Sequence, residues 1–125
     1  MALDRGISEF GQRLGDHVHA CVGCRGAVLT DDDGHPVDYA CRTEELTALE
    51  IQIVGAQCER ALADLRHHLD LDLQRLTLGL SADRGRLLAR ALDHGYVLAA
   101  LYDPAAIADH SAFADLTAQI ERLLG

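Results

Sequence analysis

The stretch AVLTDDDGHPVDYAC, Ala27 to Cys41, decides the fold, because it consists of two apolar runs joined by a tight acidic turn. Ala27-Val28-Leu29 is typical of a strand buried on both faces. Val37, Tyr39 and Cys41 alternate with their neighbours as in a half-buried strand. The stretch therefore predicts a β-hairpin.

Three consecutive aspartates, Asp31 to Asp33, precede Gly34 and suggest a calcium loop as a first hypothesis. An EF-hand loop needs ligands at alternate positions and a distal bidentate glutamate, whereas these aspartates are contiguous. Glu44 and Glu45 follow too closely and in the wrong register. Asp33-Gly34 instead supplies the positive-φ residues of a hairpin turn, and the other carboxylates keep its tip solvated.

Length and composition limit the classes of protein to consider. We expect residues 1–125 to form a single domain, whose core is built from aliphatic residues because 49% of residues are hydrophobic but only 4% aromatic. The net charge is −9, and all 11 basic residues are arginine. This balance argues against nucleic acid or an anionic membrane as a partner. The absence of lysine suggests a bacterial source with a GC-rich genome.

The N-terminus and the cysteines indicate the cellular compartment. MALDRGISEF carries two acids and lacks the apolar core of a signal peptide, and no apolar run approaches the ~20 residues of a membrane span. We therefore expect a cytoplasmic protein whose cysteines are reduced and form no disulfide framework.

Helical periodicity and capping signals place three helices. Apolar residues at helical spacing predict an amphipathic helix over residues ~3 to 17. Thr43, followed by two glutamates, predicts the start of a long helix that runs to about Leu69. A closing helix is expected from about Asp109 or Ser111.

Three strands are expected between the second and third helices. They begin near Arg75 and Leu76, near Arg86, and at Tyr96, and their short polar links each contain a glycine, which predicts an antiparallel meander. The predicted order is α-β-β-α-β-β-β-α, an α/β (α+β) fold.

The segments GCRGAVLTDDDGHPV and GYVLAALYD, in this order of elements, resemble the roadblock family of dynein light-chain relatives over nearly the whole chain. The family has a glycine before the first strand, one ending the acidic turn and one opening the last strand. These positions are Gly23, Gly34 and Gly95 here. Cys24 departs from the pattern, because the family usually has an aliphatic residue there.

The resemblance implies a five-stranded antiparallel sheet with the long helix on one face and the terminal helices on the other. It also implies a homodimer whose sheets join edge to edge. We expect the hairpin's second strand, with Val37, Tyr39, Cys41 and Arg42, to be the edge that pairs with its twin. Family members are non-catalytic scaffolds or regulators of Ras-like GTPases, and some in the gliding-motility polarity system activate GTP hydrolysis. The expected function is thus a cofactor-free regulator or scaffold that binds a small Ras-like GTPase.

The predicted long helix carries two apolar stripes on a 100° wheel. The first should lie on the sheet and comprises Ile51, Val54, Cys58, Ala61, Leu62, Leu65 and Leu69. The second lies well away from it and comprises Leu46, Leu49, Ile53 and Ala56, up to the polar Arg60. Because a single sheet needs only one stripe, the second predicts a surface for the twin subunit or a client, with ordinary core packing as the alternative.

The segment HVHACVGC supports a different hypothesis, a metal or thiol sensor. His17, His19, Cys21 and Cys24 are ligand types that suit zinc, and the two cysteines form a CxxC pair. Redox CxxC motifs open a helix after a strand, whereas the order is reversed here, and no second CxxC completes a zinc site.

A scaffold subunit that binds no GTPase is the other alternative to a GTPase regulator.

Motifs for catalysis are missing from the sequence. It contains neither a GxxxxGK[ST] nor a GxGxxG phosphate-binding pattern, and no serine elbow. We therefore expect no enzymatic activity of its own.

Overall fold

The computed structural model describes residues 2–70, 77–106 and 110–125. Its strands are β1 (Leu3–Arg5), β2 (Cys24–Thr30), β3 (Pro36–Arg42), β4 (Thr77–Ala82), β5 (Gly85–Ala91) and β6 (Val97–Tyr102). Its helices are α1 (Glu9–Ala20), α2 (Ala48–Leu69) and α3 (His110–Leu124), and a single 3₁₀ turn covers Asp93–Gly95. Arg75, Leu76 and Asp109, where elements were expected to begin, lie outside the described residues.

The sheet is antiparallel, with the strand order β1-β3-β2-β6-β5-β4. The predicted hairpin is β2 and β3, and the predicted meander is β4, β5 and β6. The expected number of five strands is wrong, because β1 adds a sixth. It pairs with the second half of β3, placing Leu3 opposite Arg42 and Arg5 opposite Ala40. The expectation that β3 forms the sheet edge is therefore wrong for residues 40–42, the half of the strand that β1 covers.

The N-terminal helix begins later than its apolar spacing predicted. Leu3 belongs to β1, and Ile7 is fully exposed before the N-cap residue Ser8, whose hydroxyl accepts a hydrogen bond from Gly11 N. Gly6 separates strand from helix, and a Cβ there would overlap the Asp38 carboxylate. That carboxylate accepts hydrogen bonds from the Ser8 backbone and hydroxyl, which fixes the start of α1.

The long helix ends where predicted, but it begins about one turn after Thr43. Thr47 caps α2, since its hydroxyl accepts from Glu50 N at 3.2 Å while the Glu50 carboxylate accepts from Thr47 N at 3.0 Å. This reciprocal pair is a capping box, which satisfies two backbone donors at the helix start. These bonds lower the pKa of Glu50.

The sheet separates two apolar cores, as the resemblance implied. On one face, α1 and α3 cover the larger core, to which they contribute Leu14, Val18, Phe113, Leu116 and Ile120. On the other face, α2 contributes Ile51, Cys58 and Leu62 to a smaller core. On this face a single helix, α2, lies over a six-stranded sheet. The part of the sheet that α2 reaches therefore decides which apolar side chains stay exposed.

The acidic turn closes the predicted hairpin, but it supplies one positive-φ residue, Gly34, rather than the predicted pair Asp33-Gly34. Gly34 has φ +81°, and the Asp31 carboxylate accepts from the backbone N–H groups of Asp33 and His35. The turn packs against the link before β6, where Gly95 has φ +82° and a Cβ would lie 2.6 Å from the Cβ of Asp32. Glycine is therefore required at Gly95 by both its backbone angle and the close approach.

No helix in the described part of the chain is both long enough and apolar enough to cross a membrane.

Candidate interaction surface

The outward side of α2 carries exposed apolar residues. Leu49 is 68% and Ile53 is 47% exposed, and Ala56 lies half-buried one turn further on. We call Leu49, Ile53 and Ala56 the outer stripe. Leu46 was predicted to belong with them, but it precedes the helix and packs against the core near Gly26 and Ile51. The structure thus places three of the four predicted residues on one exposed helix face.

The sheet-facing side of α2 does not cover the sheet completely. Leu65 and Leu69, predicted to lie on the sheet, are 37% and 54% exposed, because the last part of the helix extends past the core. Beside the helix lies an open apolar cavity of about 300 Å³, here called the α2 groove. Its lining includes Val54, Cys58, Ala61, Leu80, Leu87 and Leu101.

The α2 groove continues towards the end of the sheet. Leu80, in the terminal strand β4, is 66% exposed. A second cavity of about 320 Å³ shares the groove's three leucines and is bordered by Arg25, Arg84 and Arg86. Arg25 donates to the Asp103 carboxylate at 2.6 Å, and Arg86 donates to the carbonyl of Ala106 at 3.1 Å. An apolar surface with a basic border therefore extends from α2 to β4.

Sequence reasoning missed this groove, although it placed its leucines on strands. The alternation of Leu78 and Leu80 predicts one inward face for β4 but cannot tell how far the covering helix reaches.

Burial raises the pKa of the groove residue Cys58 to about 11, so its side chain stays a neutral thiol.

The predicted edge residues of β3 are largely engaged within the chain. The Tyr39 hydroxyl donates to the Asp4 carboxylate of β1 at 3.1 Å, and burial and this bond raise the pKa of Tyr39. Cys41 is buried, and burial raises the pKa of its thiol to about 11. Val37, beyond the strip paired with β1, is 37% exposed. Inside this chain, β1 thus occupies the place that a twin strand was expected to take.

Arg42 is also engaged, at the C-terminal end of α1. Its Nη2 atom donates to the carbonyls of Val18 and Cys21, at 3.2 Å each. A guanidinium at this position caps carbonyls that the helix leaves without an intrahelical donor, and it offsets the negative end of the helix dipole. The geometry gives Arg42 a structural role in α1.

The four candidate zinc ligands of HVHACVGC do not lie together. His17 is buried and its Nε2 lies 2.8 Å from the hydroxyl of Tyr102, whereas His19 is exposed. Cys24 is buried, and its thiol donates to the carbonyl of Gly26. Cys21 lies beside His17, with Sγ 3.7 Å from Nδ1. The structure therefore brings together His17 and Cys21 but does not gather all four residues into a zinc site.

Potential ligands come together in the acidic turn instead. Within the described ranges, Asp31, Asp33 and His35 are the group whose ligand atoms all lie within 4.8 Å of one another. Asp33 and His35 are exposed, and one carboxylate oxygen of Asp31 already accepts two backbone hydrogen bonds. These bonds organise the hairpin turn, which accounts for the cluster without a metal.

A sheet with α2 on one face and two terminal helices on the other is the architecture of a roadblock/LC7 domain. The chain has this fold, which is the fold of the family that its sequence resembles. The Roadblock/LC7 domain from Streptomyces avermitilis matches it with a TM-score of 0.69 and 17% identity, covering 90% of this chain and 95% of that chain.

Two gliding-motility proteins match as well. MglB from Myxococcus xanthus gives a TM-score of 0.76 at 10% identity, covering 94% of this chain and 96% of that one. Gliding protein MglB from Thermus thermophilus gives 0.71 at 15% identity, with 94% and 93% covered. No protein-family model matches the sequence, and no curated protein does. At these identities the likeness establishes the fold.

Proposed function

We propose that this chain is a homodimeric regulator or scaffold that binds a small Ras-like GTPase. The observation that carries the proposal is the outer stripe, where Leu49 and Ile53 are exposed on the side of α2 that faces away from the sheet. Apolar residues grouped on a helix face are a common docking surface for another protein. The roadblock fold, found in two gliding-motility MglB proteins, supports a client of the GTPase class.

Self-association is assigned to the α2 groove and strand β4. This strand ends the sheet and has a sheet neighbour on one side only among the described residues. An exposed edge strand exposes backbone donors and acceptors that another strand can pair with. Leu80 adds an exposed apolar side chain next to the groove, so a second copy would bury both edge and groove. β3 is a poorer edge than β4. β1 covers one half of it, and the other half begins with Pro36, which has no backbone N–H to donate.

The chain would act on GTP hydrolysis through the GTPase's own residues. Phosphoryl transfer is catalysed mainly by positioning and charge stabilisation, so a partner that orders the switch loops accelerates it without supplying a reacting group. Arg42 donates to the carbonyls of Val18 and Cys21, which supports a structural role for it rather than that of an arginine finger. Arg60 is exposed one turn beyond Ala56 and lies beside the proposed client surface.

The client surface is tested by Ile53→Asp, with Ile7→Asp as the matched control. Both substitutions put a carboxylate in place of an exposed isoleucine, but Ile7 lies in the loop before α1, away from α2. A charge that is desolvated in the complex costs several kcal/mol, and about 3 kcal/mol corresponds to a loss of affinity of roughly 100-fold or more. The control should bind as the wild type does.

Calorimetry with candidate GTPases, loaded with GDP or a GTP analogue, measures affinity, and turnover assays measure hydrolysis. A folded Ile53→Asp protein with unchanged affinity would show that the outer stripe is not the client surface. Binding with unchanged turnover would identify a scaffold, and no binding to any Ras-like GTPase would reject the proposed client class.

Dimerisation is tested separately by Leu80→Asp. The aspartate should weaken self-association, because it places a charge between the groove and the proposed partner strand. Leu69→Asp is the control, since Leu69 is a similarly exposed leucine at the end of α2. Sedimentation velocity at micromolar concentration should show a dimer for wild type and control and a monomer for Leu80→Asp. A wild-type monomer would refute the dimer.

A further inference from the structure

Cys21 differs from the other three cysteines in its surroundings. Cys24, Cys41 and Cys58 are buried in the two cores, whereas Cys21 is half-buried at the C-cap of α1. Burial raises the pKa of the Cys24 thiol to about 12 and that of the other two to about 11. A thiol reacts as its thiolate, so these three side chains are poor nucleophiles. Cys21 is the cysteine whose chemistry remains to be explained.

The Cys21 thiol contacts a histidine, which in turn contacts a tyrosine. Because His17 precedes Cys21 by four residues at the end of α1, both side chains lie on the same side of the helix. The Cys21 Sγ lies 3.7 Å from His17 Nδ1, and His17 Nε2 lies 2.8 Å from the hydroxyl oxygen of Tyr102. His17 is 7% and Tyr102 1% exposed, so packing holds the imidazole in place. The arrangement is a cysteine, a base and a group that orients the base.

Proton positions that suit this arrangement follow from the hydrogen-bonding capacity of each group. In the tautomer that carries its hydrogen on Nε2, His17 donates to the Tyr102 oxygen and turns the Nδ1 lone pair towards the thiol. Nδ1 then accepts the thiol proton, which leaves a thiolate beside an imidazolium.

A cavity gives small molecules access to this pair. It has a volume of about 240 Å³, lies between α1 and α3, and has both His17 and Cys21 in its lining. A water molecule occupies about 30 Å³ in the liquid, so the space suits a molecule of several heavy atoms. The site is on the α1 and α3 side of the sheet, opposite the outer stripe and the α2 groove.

Charged and titratable groups surround the thiol from each element packed there. The C-terminal end of α1 disfavours a thiolate, but the guanidinium of Arg42 is bound to the Cys21 carbonyl and opposes that effect. The neighbouring groups are Arg13, Asp16 and His17 on α1, Asp115 on α3, Cys24 on β2, Arg42 on β3 and Tyr102 on β6. The positive charges of the two arginines therefore balance the negative charges of the two aspartates.

We propose that Cys21 is a modification site, a thiol that His17 activates for oxidation by small hydroperoxides entering the cavity between α1 and α3. The thiolate sulfur attacks one peroxide oxygen, so an S–O bond forms as the O–O bond breaks. The sulfur is oxidised to a sulfenic acid, and the peroxide is reduced to an alcohol, or to water from hydrogen peroxide. The proton that His17 took from the thiol passes to the leaving oxygen.

The first experiment measures how the reactivity of Cys21 depends on pH. Purified protein is treated with iodoacetamide, or with hydrogen peroxide plus a sulfenic acid trap, and the modified cysteine is identified by peptide mass spectrometry. An ordinary thiol is about 1% thiolate at pH 6.5 and gains about tenfold per pH unit. Full ionisation raises that fraction about 100-fold, and the weaker nucleophilicity of a low-pKa thiolate takes back about a factor of ten. Cys21 should therefore react about tenfold faster than N-acetylcysteine at pH 6.5.

The variants separate activation from simple exposure. His17→Gln should lose the advantage at pH 6.5 and regain the steep pH dependence of an ordinary thiol. Tyr102→Phe keeps the packing but removes the orienting hydroxyl, so its loss should be smaller. Cys21→Ser should remove the modification. If His17→Gln does not fold, the comparison of wild type with N-acetylcysteine decides alone.

Two results would overturn the proposal. One is a wild-type rate that follows N-acetylcysteine across the pH range. The other is modification of Cys24, Cys41 or Cys58 before Cys21 in folded protein.

Discussion

Replacing Arg42 with alanine separates a structural from a catalytic role for this arginine. Its Nη2 donates to the carbonyls of Val18 and Cys21, both at 3.2 Å, and so joins β3 to the end of α1. If these bonds are its function, the substitution should lower stability and leave the turnover of the proposed client GTPase, per bound complex, unchanged.

The magnitude follows from the contacts. A hydrogen bond from a charged group contributes about 1.5–3 kcal/mol. Two features reduce the sum for Arg42: the Cys21 carbonyl keeps a second donor, Cys24 N at 3.0 Å, and the buried Nε has no hydrogen-bond partner. We expect the free energy of unfolding to fall by about 2 kcal/mol. For a domain of this size, Tm should fall by about 6–10 °C.

Urea and thermal unfolding measure the loss, and Arg60→Ala is the control because Arg60 is an exposed arginine on α2. The control should change stability by less than about 0.5 kcal/mol. Arg42→Lys should recover only part of the loss, since an ammonium lacks the planar fork of the guanidinium. Arg42→Ala protein with wild-type stability but greatly reduced GTPase stimulation would refute the reasoning and assign Arg42 to the client.

Two further predictions concern carboxylates of α2. Burial, followed by the charges of the acidic turn over Asp31–Asp33, raises the pKa of Glu59, which means that its ionised form opposes folding at neutral pH. Glu59→Gln should raise the free energy of unfolding at pH 7 by about 0.5 kcal/mol, and the gain should shrink in 1 M salt and vanish below the ordinary glutamate pKa. Hydrogen bonds from the backbone and side chain of Thr47 lower the pKa of Glu50, so its stabilisation is complete above the ordinary value of 4.5 and is lost as the pH falls through the lowered pKa. Urea unfolding over pH 2–7 should show a shallower acid decline for Glu50→Gln; identical declines would contradict this.

Local sequence signals predicted most of the fold because most elements carry their own pattern. The β2–β3 hairpin followed from its turn chemistry, and the end of α2 followed from periodicity. β1 was missed because Leu3 and Ile7 imitate helical spacing, and a three-residue strand depends on a partner in β3 far along the chain. Ser8 followed by Glu9 was a local signal for the true helix start.

The site was less predictable because exposure depends on contacts that no local pattern contains. Leu49 and Ile53 are exposed as the second stripe predicted, and their binding role stays a prediction. Leu46 shares their spacing but meets the core at Gly26. His17 and Cys21 were singled out by residue type, yet the tyrosine that completes their arrangement lies 85 residues further along.

The added strand β1 has consequences for where partners can bind. By pairing with the second half of β3, it leaves β4 as the more accessible end of the sheet, and β4 adjoins the groove beside α2. The proposed twin and the proposed client therefore both meet the α2 side, whereas the Cys21 cavity lies on the α1 and α3 side. Because the sheet separates these sites, Leu80→Asp should leave the reactivity of Cys21 unchanged. Arg42 is the exception, since it belongs to the sheet and holds the Cys21 carbonyl, and its loss should disturb that thiol while sparing the groove.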